Sequence, residues 1–217
     1  MTAAVATAAV LSLTPAVAVA GPVDESAPST DAQLAFLTPE QYEARWGASA
    51  ADEVAASMSS DAPEGAAAAG VVDSATATSG DGATDPELDP GGGQDAKWWT
   101  IIWDYKDLRG TTTPVRLGDN KLGYSHYAQR HNLTSSKPIK AAFQTHKPDK
   151  ASGARLEYIS WATDMSNGSV RLQVRVIVQA ATRTDDGKYR TPDGKNVGVI
   201  TAYCQGYNKC PAWVNKI

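Results

Sequence analysis

Apolar and polar residues alternate most regularly over residues 169–180, SVRLQVRVIVQA. Val170, Leu172, Val174, Val176 and Val178 share one face, while Arg171, Gln173 and Arg175 point the other way. A period of two predicts a strand with one core face and one face that is wet or ligand-facing. The preceding run ARLEYISWATD (154–164) alternates large residues on both faces, and Asn167-Gly168 between the two runs is a hairpin signal. VGVITAYC (197–204) is another strand, and Asp186-Gly187 and Asp193-Gly194 mark turns. Upstream, WWTIIWD (98–104) has the aromatic and β-branched composition of a strand, and TPVRL (113–117) reads as a short second one. NKLGYSHYAQRHNL (120–133) sets Leu122, Tyr124, Tyr127 and Leu133 among polar groups and fits a short helix. KPIKAAFQTH (137–146) is ambiguous between helix and strand. Together these runs predict an α+β domain over 97–217: a small helical layer on an antiparallel four- to five-stranded sheet.

Before Lys97 this patterning stops. Residues 2–20, TAAVATAAVLSLTPAVAVA, are apolar and end Ala18-Val19-Ala20 before Gly21, the mark of a secretory signal peptide cleaved after an A-x-A site. No Lys or Arg precedes the run. Residues 21–96 are mostly Ala, Gly, Ser, Asp and Pro, too poor in large apolar groups to offset the entropy of ordering them, and read as a long, disordered, acidic low-complexity linker. One island interrupts it at 37–46. Thr38 and Gln41 have capping-box spacing, Pro39 suits the first helical position, and Tyr42 and Trp46 are one turn apart. A few turns alone are barely stable in water, so a short marginal helix is expected here in preference to a docking motif. No apolar run is long and uniform enough for a stable membrane span.

Charge sharpens the division. The 217 residues carry a formal net charge of −4. Residues 1–96 hold fifteen acidic residues and one basic residue, a net of −14; residues 97–217 hold nine acidic and nineteen basic residues, a net of +10. The basic part attracts a polyanion, and the acidic part is expected to be a solubilising linker rather than an autoinhibitor. The only two cysteines, Cys204 and Cys210, form an even count in a chain with an export signal and suggest a disulfide. Their spacing does not match a zinc site, and no metal or cofactor is expected.

The chain lacks a phosphate-binding glycine loop, an HExxH and a GxSxG. What remains is a histidine set: His126 and His131 around Arg130, and His146 beside Lys147. On a helix His126 and Arg130 stack one turn apart, and His131 points elsewhere unless the helix has ended. Histidine accepts and donates protons near neutrality, and an adjacent arginine favours charge building on a phosphoryl group. RNA cleavage needs those parts and no metal: a base for the ribose 2′-OH, an acid for the departing 5′ oxygen, and cations at phosphorus. Each feature has a plainer reading. Three histidines in this length are no excess, and an Arg/Gln stripe is most often the solvated face of a sheet. A basic surface also suits a non-catalytic secreted module that binds an anionic cell-surface polymer.

The order of motifs, G-x-x-H-x-x-x-R-H on an early helix followed by antiparallel strands and a final V-I-T-A-Y, resembles bacterial ribonuclease toxin domains with the barnase/EndoU/colicin/RelE-like fold. The resemblance covers about residues 97–205 and rests on these two short motifs. It implies a secreted, metal-independent endoribonuclease acting on RNA; a monomer is expected, with an inhibitor protein as a further candidate partner. It assigns catalytic positions to His126, Arg130, His131, Thr201 and Tyr203. Lys121, His146, Lys147, Arg171 and Arg175 are candidates for holding substrate. Cys204, where many such domains have proline, departs from the pattern.

Overall fold

The structure is a computed structural model that describes residues 33–60 and 97–217. The expected signal peptide and the linker stretches 21–32 and 61–96 lie outside the described residues. The described chain is α+β. Its element order is β1 (Leu34–Leu37), α1 (Pro39–Trp46), α2 (Ala48–Ser60), β2 (Ile101–Lys106), β3 (Thr112–Arg116), α3 (Gly123–His131) and α4 (Lys137–Ala142). There follow β4 (Lys150–Ser152), β5 (Arg155–Asp164), β6 (Val170–Gln179), β7 (Gly198–Cys204) and a 3-10 turn, Ala212–Asn215.

The main sheet is antiparallel and five-stranded, in the order β1-β5-β6-β7, with β4 also paired to β5. β1 and β4 lie end to end along the same side of β5: β1 pairs with Trp161–Asp164, β4 with Arg155–Glu157. β2 and β3 form a separate hairpin. The hairpin meets the main sheet where Gly198, at φ 84°, opens β7; a Cβ there would lie 1.9 Å from the Pro114 carbonyl oxygen, so only glycine permits the approach.

The period-two face of β6 is core from Leu172 onward: Leu172, Val174, Val176 and Val178 are buried with Tyr158, Ala162 and Ala202 under α3 and α4, whereas Val170, beyond a bulge in the β5–β6 pairing, packs with Trp161 on the other side. α3 contributes Tyr124 and Tyr127, α4 contributes Ile139 and Ala142, and Phe143 follows α4. The ambiguous segment at 137–146 is therefore helical at its start.

The second face departs from expectation. Residues 33–60, placed by composition inside the linker, are part of the fold. The capping box forms as the spacing predicts: Gln41 N–H donates to Thr38 Oγ1 (3.1 Å), and Thr38 N–H donates to Gln41 Oε1 (3.0 Å). The helix is not marginal, because it has a landing site. The Tyr42 ring sits 5.2 Å from that of Trp161 and 4.7 Å from that of Trp46, and its hydroxyl donates to the Gly168 carbonyl (2.8 Å). Ala51 and Val54 of α2 complete this second apolar cluster. Tertiary burial thus supplies what a short isolated helix lacks.

Candidate functional site

α3 turns Tyr124 and Tyr127 into the core, and its last turn reaches the edge strand β7. Five residues along a helix separate two side chains by about 140°, yet the His126 and His131 rings lie 5.4 Å apart, nearly perpendicular. The helix ends at His131; Asn132 takes a left-handed conformation at φ 53°, and the His131 ring swings over β7 to lie 5.7 Å from that of Tyr203. The facing pair is therefore His126 with His131, not His126 with Arg130. Arg130 is exposed, and it acts on His131 only through its charge.

The two imidazoles differ in environment. His126 Nδ1 is 3.0 Å from the Asn120 carbonyl oxygen, which can only accept. Nδ1 therefore carries the proton, and Nε2 is left to exchange one. His131 is more than half buried, and its pKa is lowered to about 4. Burial is the largest cause, the charges of His126 and Arg130 push the same way, and the Asn208 backbone opposes them. His131 Nδ1 is buried with no hydrogen-bond partner. His131 is thus a neutral imidazole at neutral pH.

Strand register places the other groups. Tyr203 lies opposite Arg175, and Arg175 opposite Ile159; Thr201 lies opposite Ile177, and Ile177 opposite Glu157. Directly paired residues share a face, so Glu157, Arg175, Thr201 and Tyr203 stand together on the side away from the main core. Arg175 Nη1 is 2.9 Å from Glu157 Oε1, a close ion pair rather than an aligned hydrogen bond. Arg175 Nε donates to Gln205 Oε1, and the Arg175 charge acts on the Tyr203 phenol, pulling its pKa down against burial. Burial raises the phenol pKa above its ordinary value, so Tyr203 keeps its proton. Thr201 is buried, and its hydroxyl has no partner.

Other expected residues do not come together here. The polar stripe of β6 is not a continuous wet face: Gln173 is 4% exposed, accepting from Trp161 Nε1 (2.9 Å) and donating to Gln205 (2.7 Å). The helices of the N-terminal segment cover this end of the face, which is why the alternation misleads. Arg171 is exposed beside Asp164 at 4.0 Å. His146 is held by α1: its Nδ1 lies 2.7 Å from Glu40 Oε1, and its backbone N–H donates to Glu40 Oε2 (3.2 Å). That pairing lowers the Glu40 pKa. Lys147 follows on the same loop, and its carbonyl accepts from Thr145 Oγ1 (3.1 Å). Lys121 is exposed in the turn that carries Asn120.

Cys204 and Cys210 form the expected disulfide. Cys210 N–H donates to the His131 carbonyl (2.7 Å), and Asn132 Nδ2 donates to the Cys210 carbonyl (2.8 Å). The closed loop therefore ties the end of β7, next to Tyr203, to the end of α3, next to His131. Glu157 and Gln205 were not singled out by sequence. A glutamate inside a strand, where it is disfavoured, is the one signal that pointed to Glu157.

Among the described residues, no group of three or more His, Cys, Asp or Glu could hold a metal ion. No described helix is long and apolar enough to cross a membrane. No protein-family model matches the chain, and neither a curated protein nor a solved structure is found to be similar to it.

Proposed function

We propose that the protein is an endoribonuclease working by proton transfer at His126 and His131. The observation that carries this reading is the run of three rings, His126 to His131 to Tyr203, at 5.4 and 5.7 Å between centroids, ending on Tyr203, which pairs with Arg175 across β6 and β7. His131, uncharged at neutral pH, takes the proton from a ribose 2′-OH at Nε2, its Nδ1 being buried. The freed 2′ oxygen attacks phosphorus, the bond from phosphorus to the 5′ oxygen breaks, and a 2′,3′-cyclic phosphate forms. His126, with Nδ1 fixed on Asn120, is placed to hand the 5′ oxygen a proton from Nε2. Arg175 and the protonated Tyr203 are the donors available to the phosphoryl oxygens. Glu157 keeps Arg175 extended along the face. The short disulfide supports an exported protein, because such bonds persist in oxidising compartments.

The experiment is cleavage of a structured RNA by the full chain with EDTA present, with end-group analysis of the products. Cyclic phosphate ends are expected, and His126→Ala and His131→Ala each lower kcat/KM by about a hundredfold or more. An unaltered rate in both variants removes the catalytic role. A parent chain that binds RNA in a salt-sensitive way, yet leaves it whole, favours the non-catalytic polyanion-binding module instead.

A further inference from the structure

Gln205 lies inside the disulfide-closed loop and is buried. Both ends of its side-chain amide are engaged. Oε1 accepts from Arg175 Nε and from Gln173 Nε2, and Nε2 donates to the Met58 carbonyl of α2. Its backbone N–H donates to the Gln173 carbonyl (2.8 Å). Met58 lies in the last turn of α2, where helix carbonyls lack an intrahelical donor. One side chain therefore joins a helix end of the N-terminal segment to the guanidinium beside Tyr203.

We infer that Gln205 is a positioning residue for Arg175. A guanidinium has five donors in a rigid fork. Gln205 accepts from Nε, the Glu157 carboxylate holds Nη1 as an ion pair, and the Tyr203 phenol interacts with the same guanidinium. With both Nε and Nη1 anchored, the plane of the fork is set. Two anchors fix a plane where one leaves a swivel about the Glu157 contact. The remaining N–H groups then face a single direction, which is what in-place stabilisation of a phosphoryl group needs. Gln205 itself is held by Met58 and Gln173, so its oxygen cannot follow a moving arginine. This inference rests on the ribonuclease reading for its effect on rate, and on geometry alone for its effect on Arg175.

The test uses the full chain with Gln205→Met, which keeps the volume and removes the acceptor, and Gln205→Glu, which keeps the acceptor and loses the donor to Met58. Nitrogen-15 NMR of the Arg175 Nε–H reads the position directly and without RNA. In the parent and in Q205E this proton is expected to be slow to exchange; in Q205M it exchanges at least about tenfold faster. Kinetics on RNA should then show about a tenfold fall in kcat for Q205M, with KM little changed and Q205E close to the parent. Arg175→Ala should cost less in the Q205M background than in the parent, because the two changes remove one interaction. Should Q205M fail to fold, Gln205→Asn, one methylene too short to reach Arg175, takes its place. An Nε–H as protected in Q205M or Q205N as in the parent overturns the inference, as does damage in Q205E equal to that in Q205M. A parent that cleaves no RNA overturns the ribonuclease reading, while the NMR comparison still decides the role of Gln205.

Discussion

His131 is where burial and chemistry meet. An ordinary histidine titrates near 6.5 in an unfolded chain, whereas His131 titrates near 4 in the folded one. Between those values the unfolded chain binds the extra proton. Stability therefore rises with pH across this window, and the contribution is lost as pH falls from about 6.5 through about 4. The ring is not fully enclosed, so solvent screening reduces the effect to on the order of 1 kcal/mol. Urea midpoints measured at several pH values should fall over this range in the parent, and His131→Gln should flatten that slope. A slope unchanged by the substitution would mean that the imidazole is not shielded as its surroundings imply. Occupation of the site by an anion works the other way, since a phosphate beside the ring favours the charged form.

At the scale of elements, α1 and the β5–β6 turn support each other. Gly168 has φ 79°, and a Cβ on it would stand 2.8 Å from Trp46 Nε1. Gly168→Ala therefore strains the turn and displaces Trp46, at a cost of about 1 kcal/mol or more. Thr38→Ala removes the cap of α1 and costs about 1 kcal/mol. Both changes should lower the denaturant midpoint, but only Gly168→Ala should red-shift tryptophan emission before unfolding. The β5–β6–β7 meander, α3 and the capping box were legible in the sequence because each is a local pattern: a period of two, a turn dipeptide, a cap spacing. β1 was not. Its four residues, Leu34–Leu37, have no strand partner nearby, and their hydrogen bonds exist only against β5. The site was half legible for the same reason. His126, His131, Thr201 and Tyr203 sit in recognisable motifs, and alternation shows which residues share a face. It does not show what covers the face, so Gln173 read as wet and Glu157 went unnoticed.

At the scale of the molecule, charge governs what the protein meets. Residues 33–60 carry four acidic residues and one basic residue, so the two described segments together hold a net +7 against the −4 of the whole chain. Affinity for single-stranded RNA should fall linearly on a logarithmic salt axis, by about 0.7 per phosphate contacted. Arg175→Ala should reduce that slope by about one such step, and Arg171→Ala, at the far end of β6, should leave the cleavage rate unchanged. Equal effects of the two substitutions on rate would place the substrate elsewhere. The topology also orders events in time. Phe36 pairs with Ala162, so the first strand of the sheet meets its neighbour only after 125 intervening residues have been made. Closing so long a loop is slow compared with forming the β5–β6 hairpin. Of the described elements β1 is made before β5, and the length of the intervening chain favours its seating late. Until it docks, β5 presents an unpaired edge over Trp161–Asp164, and the nascent protein is at its most prone to self-association in that interval.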